Sequence, residues 1–275
     1  MIVGIKNMGL GNVVCMTPAL QALAFLGSEP VTIVPQAGKA PIGKYLEELL
    51  GEAAFVRFPD PQETLFVKQT LNLNNNFSFT RMHEVFYHMQ LPFNLGYKGE
   101  IPLLYQNERP ISWFPTKKTI GIVNGCAKDW DQKKWPYFRE LVSLIRNYYP
   151  SVCIAKFGLK GDLKEVEVDV DFTGELSILE TAYAISKCSY LITNDSALMH
   201  IADALFVPLV CIFGPTLVSK NKPWQTRYEL VRSNHFCAPC HCSSLWSMCT
   251  QPICMNRILP SDVMRAVRRL IGNEL

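Results

Sequence analysis

The sequence predicts an α/β protein with two wound parallel sheets, and three observations lead to that prediction. Short β-branched and apolar runs alternate with amphipathic helical patterns along most of the chain, which is typical of parallel sheets covered by helices. The length of 275 residues suits two small domains. Residues 106–118 contain two prolines and mixed charge, and we interpret them as an interdomain linker.

The elements are easier to place after this linker than before it. Strands are predicted at residues 2–6, 31–34 and 54–58, whereas residues 65–104, rich in Asn and aromatic side chains, show no period that places an element. After the linker, strands are predicted at 119–123, 152–157, 190–193 and 208–213, and helices at 137–149, 177–187, 197–204 and 261–270. We therefore predict an N-terminal domain at 1–107, a second domain at 118–260 and a C-terminal helix within 261–275.

Composition excludes several classes of protein. With 48% hydrophobic residues and no three-residue glycine period, the chain is neither disordered nor collagen-like. The apolar run at 207–213 is far shorter than the ~20 residues of a membrane helix, so at most peripheral membrane contact is expected. The formal net charge of +3 suits an anionic small molecule; a nucleic-acid partner is permitted but not favoured.

The chain start indicates a first strand rather than a secretion signal, because it reaches polar residues after five positions. Ten cysteines would suit a secreted protein, but half of them stand singly in apolar contexts. That pattern favours a reducing compartment, and we predict a cytoplasmic location. The single cysteines are Cys15, Cys126, Cys153, Cys188 and Cys211.

The predicted first strand runs into Gly9 and Gly11, which would let the backbone approach a ligand closely. A dinucleotide fingerprint G-x-G-x-x-G fails at Val14, which makes a dehydrogenase the least favoured enzyme. The simpler alternative is a tight turn without a ligand.

Two loops that follow predicted strands carry polar and basic residues. Lys133 lies in the first, where a lysine can neutralise a diphosphate. The second contains Asn194, Asp195 and Ser196 before a helix that begins at Ala197, whose first amides could hold phosphate. Either Asp195 or Ser196 could instead only cap that helix.

Two further residues are weaker candidates. His200 lies about one turn inside the same helix, where a buried core histidine is as reasonable as a ligand-binding one. Asp162 follows another predicted strand and could hydrogen-bond a ribose hydroxyl, or simply stand in a surface turn.

Three motifs in order resemble family 9 glycosyltransferases, the heptosyltransferase-like enzymes. They are MGLGNVVCMTPALQAL (8–23), KKWP (133–136) and TGELSILETAYAISKCSYLITNDSALMHIADALFVPLVCIFGPT (173–216). The resemblance implies a GT-B fold, two Rossmann-like lobes facing a central cleft. It also implies inverting transfer from a nucleotide-diphosphate sugar, an ADP-heptose-like donor, to a glycan or protein acceptor, with no metal needed for catalysis. By motif position Lys133 and Ser196 would hold the diphosphate, and Asp195 would face the sugar or acceptor.

One departure from the family concerns the expected general base. Gly11-Asn12 stands where the family usually has Gly-Asp, and an amide cannot take a proton at neutral pH. We therefore expect Asp195 to take over or share that role. Two alternatives stay open: a glycosyltransferase acting on modified nucleic-acid bases, and a catalytically silent nucleotide-sugar binding module.

A cysteine cluster precedes the last predicted helix, within residues 237–254. Its spacing, C-x2-C-x-C-x6-C-x4-C, suits a tetrahedral thiolate site. We predict a structural zinc or iron, with free thiols or disulfides as the alternatives. The expected ligands are Cys237, Cys240, Cys249 and Cys254, with Cys242 in reserve.

Overall fold

The computed structural model describes residues 1–5, 9–35, 46, 48–58, 71–72, 82–241, 243 and 245–272. The chain divides into two compact units, Met1–Asn107 and Glu108–Leu275. Both contain a parallel sheet, so the predicted α/β class with two parallel sheets is confirmed.

Unit 1 has a four-stranded sheet in the order β3-β2-β1-β4, and every pair in it is parallel. Its longest helix, α1, is apolar enough to cross a membrane by length and composition, with 61% of its residues buried. It packs against α2, as a core helix does. The elements are β1 Ile2–Ile5, α1 Leu10–Gly27, β2 Val31–Pro35, β3 Val56–Arg57, β4 Leu71–Asn72 and α2 Glu84–Asn94.

Unit 2 has a six-stranded parallel sheet in the order β10-β9-β8-β5-β6-β7. Four of its strands are buried at every position, which explains their continuous apolar runs. The elements are β5 Thr119–Val123, α3 Phe138–Tyr148, β6 Cys153–Phe157, β7 Val170–Asp171, α4 Ile178–Ser186, β8 Tyr190–Asn194, α5 Ala197–Ala204, β9 Leu209–Phe213, α6 Val218–Asn221, β10 Tyr228–Arg232, α7 Leu245–Met248, α8 Ile253–Asn256 and α9 Pro260–Ile271.

Local signals in the sequence explain two helices of unit 2. The amide of Ser177 donates to the Glu180 carboxylate at 2.8 Å, and the Glu180 amide donates to the Ser177 hydroxyl at 3.4 Å; these two hydrogen bonds form a capping box at the start of α4. The last helix, α9, buries Val263 and Val267 in the same core as Leu141 of α3. It is therefore an integral part of unit 2.

The strand order places a topological switch point between β5 and β8. The chain proceeds from β5 outward to β6 and β7, then returns to β8 on the other side of β5. Loops leaving the carboxyl ends of β5 and β8 consequently diverge and leave a crevice, which is where ligands bind in open α/β sheets. Asn124 follows β5 and Asn194 ends β8 at this crevice.

Candidate functional site

Asn194 ties the loop after β5 to the end of β8. Its buried side-chain amide donates to the carbonyl oxygens of Gly125 at 3.1 Å and Lys133 at 3.2 Å. Its Oδ1 atom is also buried and accepts no hydrogen bond from any residue that the structure describes. Hydrogen bonds from Asn194 therefore hold the loop after β5 against the end of β8, and the Asn194 Oδ1 atom is an available hydrogen-bond acceptor at this point.

Asp195 lies beside Lys133, with 3.1 Å between Oδ2 and Nζ. The same oxygen accepts a hydrogen bond from the side chain of Asn221 at 3.0 Å. Burial alone would raise the pKa of Asp195, but the charges of Lys133 and His200 and the hydrogen bond from Asn221 outweigh it and lower the pKa. Asp195 is therefore ionised at neutral pH, and the lowered pKa makes it a weaker base.

The KKWP segment holds Lys133 in place by burying its tryptophan. Trp135 is fully buried, and its indole N–H donates to the carbonyl of Ile258 at 2.9 Å. Asn124 exchanges two hydrogen bonds with the Trp135 backbone, at 2.8 and 2.9 Å. The 3-10 turn Asp131–Lys133 is thereby fixed at the end of β5.

Ser196, and not Asp195, caps helix α5. The Ser196 hydroxyl accepts from the Met199 amide at 3.4 Å and lies 3.2 Å from the hydroxyl of Thr193. Ala197 is the first residue of α5, so its amide is among those that the helix leaves without an intrahelical partner. His200 is buried one turn later. In the second loop, Ser196 therefore caps the helix, and Asp195 provides the carboxylate that pairs with Lys133.

Asp162 lies at the same edge of the sheet, after β6. Its carboxylate accepts from the Leu159 amide at 2.9 Å and lies 3.7 Å from the Lys134 ammonium. A Cβ atom built on Gly125 or Gly158 would lie 2.8 or 2.7 Å from its Oδ2 atom. Glycine at these two positions therefore lets Asp162 approach the strand ends, and it lies close to the loop that carries Lys133.

Asn12 of unit 1 uses both ends of its side-chain amide within that unit. Oδ1 accepts from the Gly9 amide at 2.9 Å, at the start of α1, and Nδ2 donates to the carboxylate of Glu84. Glu84 is buried at the start of α2 and lies 3.6 Å from the imidazole of His88. Gly11 lies within the first turn of α1. Asn12 therefore joins the amino-terminal ends of two helices.

Several residues that contact or support the candidate site are not apparent from the sequence. Asp203 at the end of α5 is fully buried and accepts three backbone amide hydrogen bonds, at 2.6, 3.0 and 2.8 Å, from the segment after α6. This contact anchors the segment that carries Asn221 to the helix that follows Asp195. Signals were available for three of the missed residues: Trp130 lies in the loop after β5, and Glu84 and His88 stand four positions apart in one helix. The residues that sequence reasoning missed are Trp130, Asn221, Asp203, Glu84 and His88.

The Cys-rich segment is residues 237–254, and four of its thiols belong to described residues: Cys237, Cys240, Cys249 and Cys254. Burial raises the pKa of Cys254 to about 11, and Cys237, Cys240 and Cys249 add to this shift. Cys237 Sγ lies 3.1 Å from the Nδ1 atom of His235. Among the described residues, no three His, Cys, Asp or Glu side chains stand grouped as metal ligands, and Cys242 lies outside those residues. The predicted metal stays a prediction.

Comparison with known proteins identifies the family. The sequence profile of glycosyltransferase family 9 (heptosyltransferase) matches residues 61–244. Lipooligosaccharide heptosyltransferase 2 of Campylobacter jejuni is 29% identical over 203 residues, which cover 68% of this chain and 58% of that protein. The chain thus matches well under two thirds of this curated relative's length.

Solved structures support the same fold. A glycosyl transferase of family 9 from Veillonella parvula superposes with a TM-score of 0.73 at 18% identity, covering 98% of this chain and 97% of that one. TibC, an iron-containing dodecameric heptosyltransferase of enterotoxigenic E. coli solved with ADP-D-β-D-heptose, gives a TM-score of 0.72 at 15% identity, covering 98% of this chain and 76% of TibC. The predicted GT-B-type fold is confirmed. Since the profile covers more than half of the sequence, the chain belongs to glycosyltransferase family 9 (heptosyltransferase).

Proposed function

We propose that this chain transfers a sugar from a nucleotide-diphosphate donor of the ADP-heptose type to a lipopolysaccharide-type glycan, with inversion. The observation that carries the proposal is the Lys133 ammonium, held 3.1 Å from Asp195 at the switch point of unit 2. A cation at this crevice suits an anionic ligand. The family, and the ADP-heptose bound by TibC, support the choice of donor.

The proposed roles follow from charge and hydrogen-bonding capacity. Lys133, the Ser196 hydroxyl and the amide of Ala197 would neutralise the donor diphosphate and the charge that develops as it leaves. The proposal requires no catalytic metal, because the Lys133 ammonium supplies positive charge and the hydroxyl and amide donate hydrogen bonds. Asn194 Oδ1 and the Asp162 carboxylate would accept hydrogen bonds from donor hydroxyls. Gly9 and Gly11 would let the backbone of unit 1 approach the donor closely, and Asn12 would orient an acceptor hydroxyl.

Replacing Lys133 by Ala is expected to weaken ADP binding by about 1.5–3 kcal/mol, the range of a hydrogen bond to a charged group. Isothermal titration calorimetry with ADP measures the change. Lys128→Ala is the matched control, since Lys128 is exposed in the same loop and its removal alters the net charge equally. Equal affinities for Lys133→Ala and the wild type would remove Lys133 from the donor site.

A second candidate function is nucleotide-sugar binding without transfer. The observation that favours it is Asn12, whose amide is committed to Gly9 and Glu84 and offers no carboxylate. Binding of ADP-heptose with neither transfer to a lipopolysaccharide core acceptor nor donor hydrolysis would select this function.

We also propose that the Cys-rich segment holds one structural zinc or iron. The support for this proposal is the donor chemistry of the sequence: the thiols follow the spacing C-x2-C-x-C-x6-C-x4-C, and thiolates suit both metals. Cys237, Cys240, Cys249 and Cys254 would hold the ion, with Cys242 as the reserve ligand. The ion would supply folding free energy to the segment and no chemistry to the transfer. Reduced thiols agree with a cytoplasmic location, which stays a prediction.

Protein purified without added metal is expected to contain about one zinc or iron per chain, and chelation should loosen the segment, because binding and folding are coupled. Elemental analysis measures the content, and limited proteolysis measures the loosening. Cys249→Ser should lower the content, whereas Cys126→Ser, which alters a half-buried cysteine outside the cluster, should not. Less than about 0.2 metal per chain with reduced thiols would contradict the proposal.

A further inference from the structure

Trp130 stands between the proposed donor cation and the Cys-rich segment. The Lys133 ammonium lies 4.6 Å from the centroid of its ring. On the segment side, the ring of Trp246 lies 4.5 Å from the Trp130 ring, with 43° between the planes. Three side chains therefore form a continuous row from the Cys-rich segment to the crevice of unit 2.

The Cys-rich segment supports the same loop at a second point. The side-chain amide of Gln132 donates to the carbonyl of Cys249 at 3.3 Å. The amides of Cys240 and His241 both donate to the carbonyl of Pro215, at 2.9 and 3.1 Å, in the turn after β9. One segment therefore contacts both the loop that presents Lys133 and the turn that follows the neighbouring strand β9.

The placement of Lys133 needs such support because a lysine side chain has many rotamers. Ordering it for a diphosphate has an entropic cost, which is smaller when the ammonium is already held. Asp195 holds it by charge, and an aromatic face attracts a cation without neutralising it. An aromatic partner therefore adds to the placement of the ammonium without bringing a second negative charge to the anion site.

We infer that Trp130 is a positioning residue for Lys133, and that Trp246 passes the support of the Cys-rich segment to the donor site through Trp130. The inference rests on the proposed function, since it takes Lys133 as the diphosphate ligand. It assigns a role in donor binding to a segment whose thiols take no part in transfer.

The experiment measures the affinities of ADP, adenosine and inorganic pyrophosphate by calorimetry. Trp130→Ala is expected to lower the affinities for ADP and pyrophosphate roughly 2- to 30-fold, the range of a cation–π contact. Trp246→Ala should lower both affinities roughly 2- to 10-fold, because the aromatic pair with Trp130 is lost. Adenosine affinity should stay unchanged in both, because only the diphosphate reaches Lys133. Trp130→Phe, which keeps an aromatic face, should recover most of the loss.

A double-mutant cycle separates positioning from general damage to the fold. In a Lys133→Ala background, Trp130→Ala should have no further effect on ADP, because the residue it positions is gone. Met248→Ala is the matched control for Trp246→Ala, since Met248 is an exposed residue of the same short helix, and it should leave all three affinities unchanged.

The outcomes separate this inference from the proposed function. Wild-type binding of ADP that neither tryptophan variant alters would overturn the inference and leave the proposed function intact. Equal losses of ADP and adenosine affinity would overturn it too, since they indicate a general collapse of the site. A wild type that binds pyrophosphate but not ADP would refute the proposed donor, and weaker pyrophosphate binding in Trp130→Ala would still support positioning. Binding of neither would overturn both.

Discussion

Replacing Asp203 by Ala is expected to lower the free energy of unfolding by about 2–4 kcal/mol, since it leaves buried amide donors without a partner. The carboxylate is fully buried and accepts from the amides of Trp224, Gln225 and Thr226. Urea unfolding followed by circular dichroism measures the change. The effect should extend to ADP affinity, because the anchored segment carries Asn221, the hydrogen-bond partner of Asp195.

The controls distinguish the buried acceptor from a general loss of negative charge. Asp203→Asn keeps one acceptor oxygen and should cost less than the alanine variant. Glu165→Ala removes an exposed carboxylate paired with Arg139 at 3.4 Å and should stay within about 0.5 kcal/mol of the wild type. An Asp203→Ala variant as stable as Glu165→Ala would show that these amides find other partners.

The sequence predicts the sheet of unit 2 well because burial of whole strands leaves a strong local signal. Strand β5 was predicted with its observed bounds, and helix α5 likewise, since both lie in continuous apolar patterns. Strands β7 and β10 gave no such signal. The first has only two residues, and the second is half-buried along most of its length at the sheet edge. Helices α6, α7 and α8 have four residues each, which is too short for a helical period to be recognised in the sequence.

Part of the candidate site was predictable because the carboxyl ends of parallel strands meet at one edge. That rule brings Asp162, Lys133 and Asn194 together without any knowledge of packing. Trp130 and Asn221 required the fold itself, since their partners are remote in sequence or lie in loops without a period. The link from Asn12 to Glu84 spans 72 positions and joins two helices, of which the second lies in the region that gave no period.

The structure also changes what an Asp195→Asn variant reports. Since Ser196 caps α5, the variant leaves the cap intact and removes only the charge opposite Lys133. The lowered pKa of Asp195 means that its contribution to stability is present above the unfolded-state pKa of about 3.9 and is lost as pH falls through the lower folded-state value. Wild type and Asp195→Asn should therefore differ in stability at neutral pH and converge in acid.

If Asp195 does not act as the base, introducing a carboxylate at position 12 is expected to raise transfer by about 10²–10⁴-fold, the contribution of a positioned base. The carboxylate that Asn12→Asp introduces would face the Glu84 carboxylate, which now accepts from Asn12. Two adjacent carboxylates share a proton, which raises the pKa of one of them. A pKa shifted toward neutrality also suits a general base better than an ordinary aspartate.

The same pair gives the variant a distinctive dependence of stability on pH. A carboxyl group whose pKa is raised in the folded state does not change the free energy of unfolding below its unfolded-state pKa of about 4. As pH rises from there through the raised folded-state pKa, the group lowers the free energy of unfolding, and above that pKa the full loss is reached. Asn12→Asp should therefore match the wild type near pH 4 and be less stable than the wild type near pH 8. Glu84→Gln in the same chain should remove this dependence, and Asn12→Ala, which introduces no second carboxylate, should lose less stability near pH 8 than Asn12→Asp does.

Combining Asn12→Asp with Asp195→Asn locates the proton acceptor. If Asp195 is the base of the wild type, Asp195→Asn lowers the turnover by about 10²–10⁴-fold. Any turnover that the double variant recovers then comes from the carboxylate introduced at position 12. If Asp195 serves Lys133 alone, Asp195→Asn changes ADP affinity, and turnover at saturating donor is largely kept. Transfer assays with donor saturation, together with calorimetry on the same proteins, separate these results. A rate for Asn12→Asp equal to that of the wild type, with stability that does not depend on pH relative to it, would refute both the carboxylate pair and the assignment of position 12 to the acceptor.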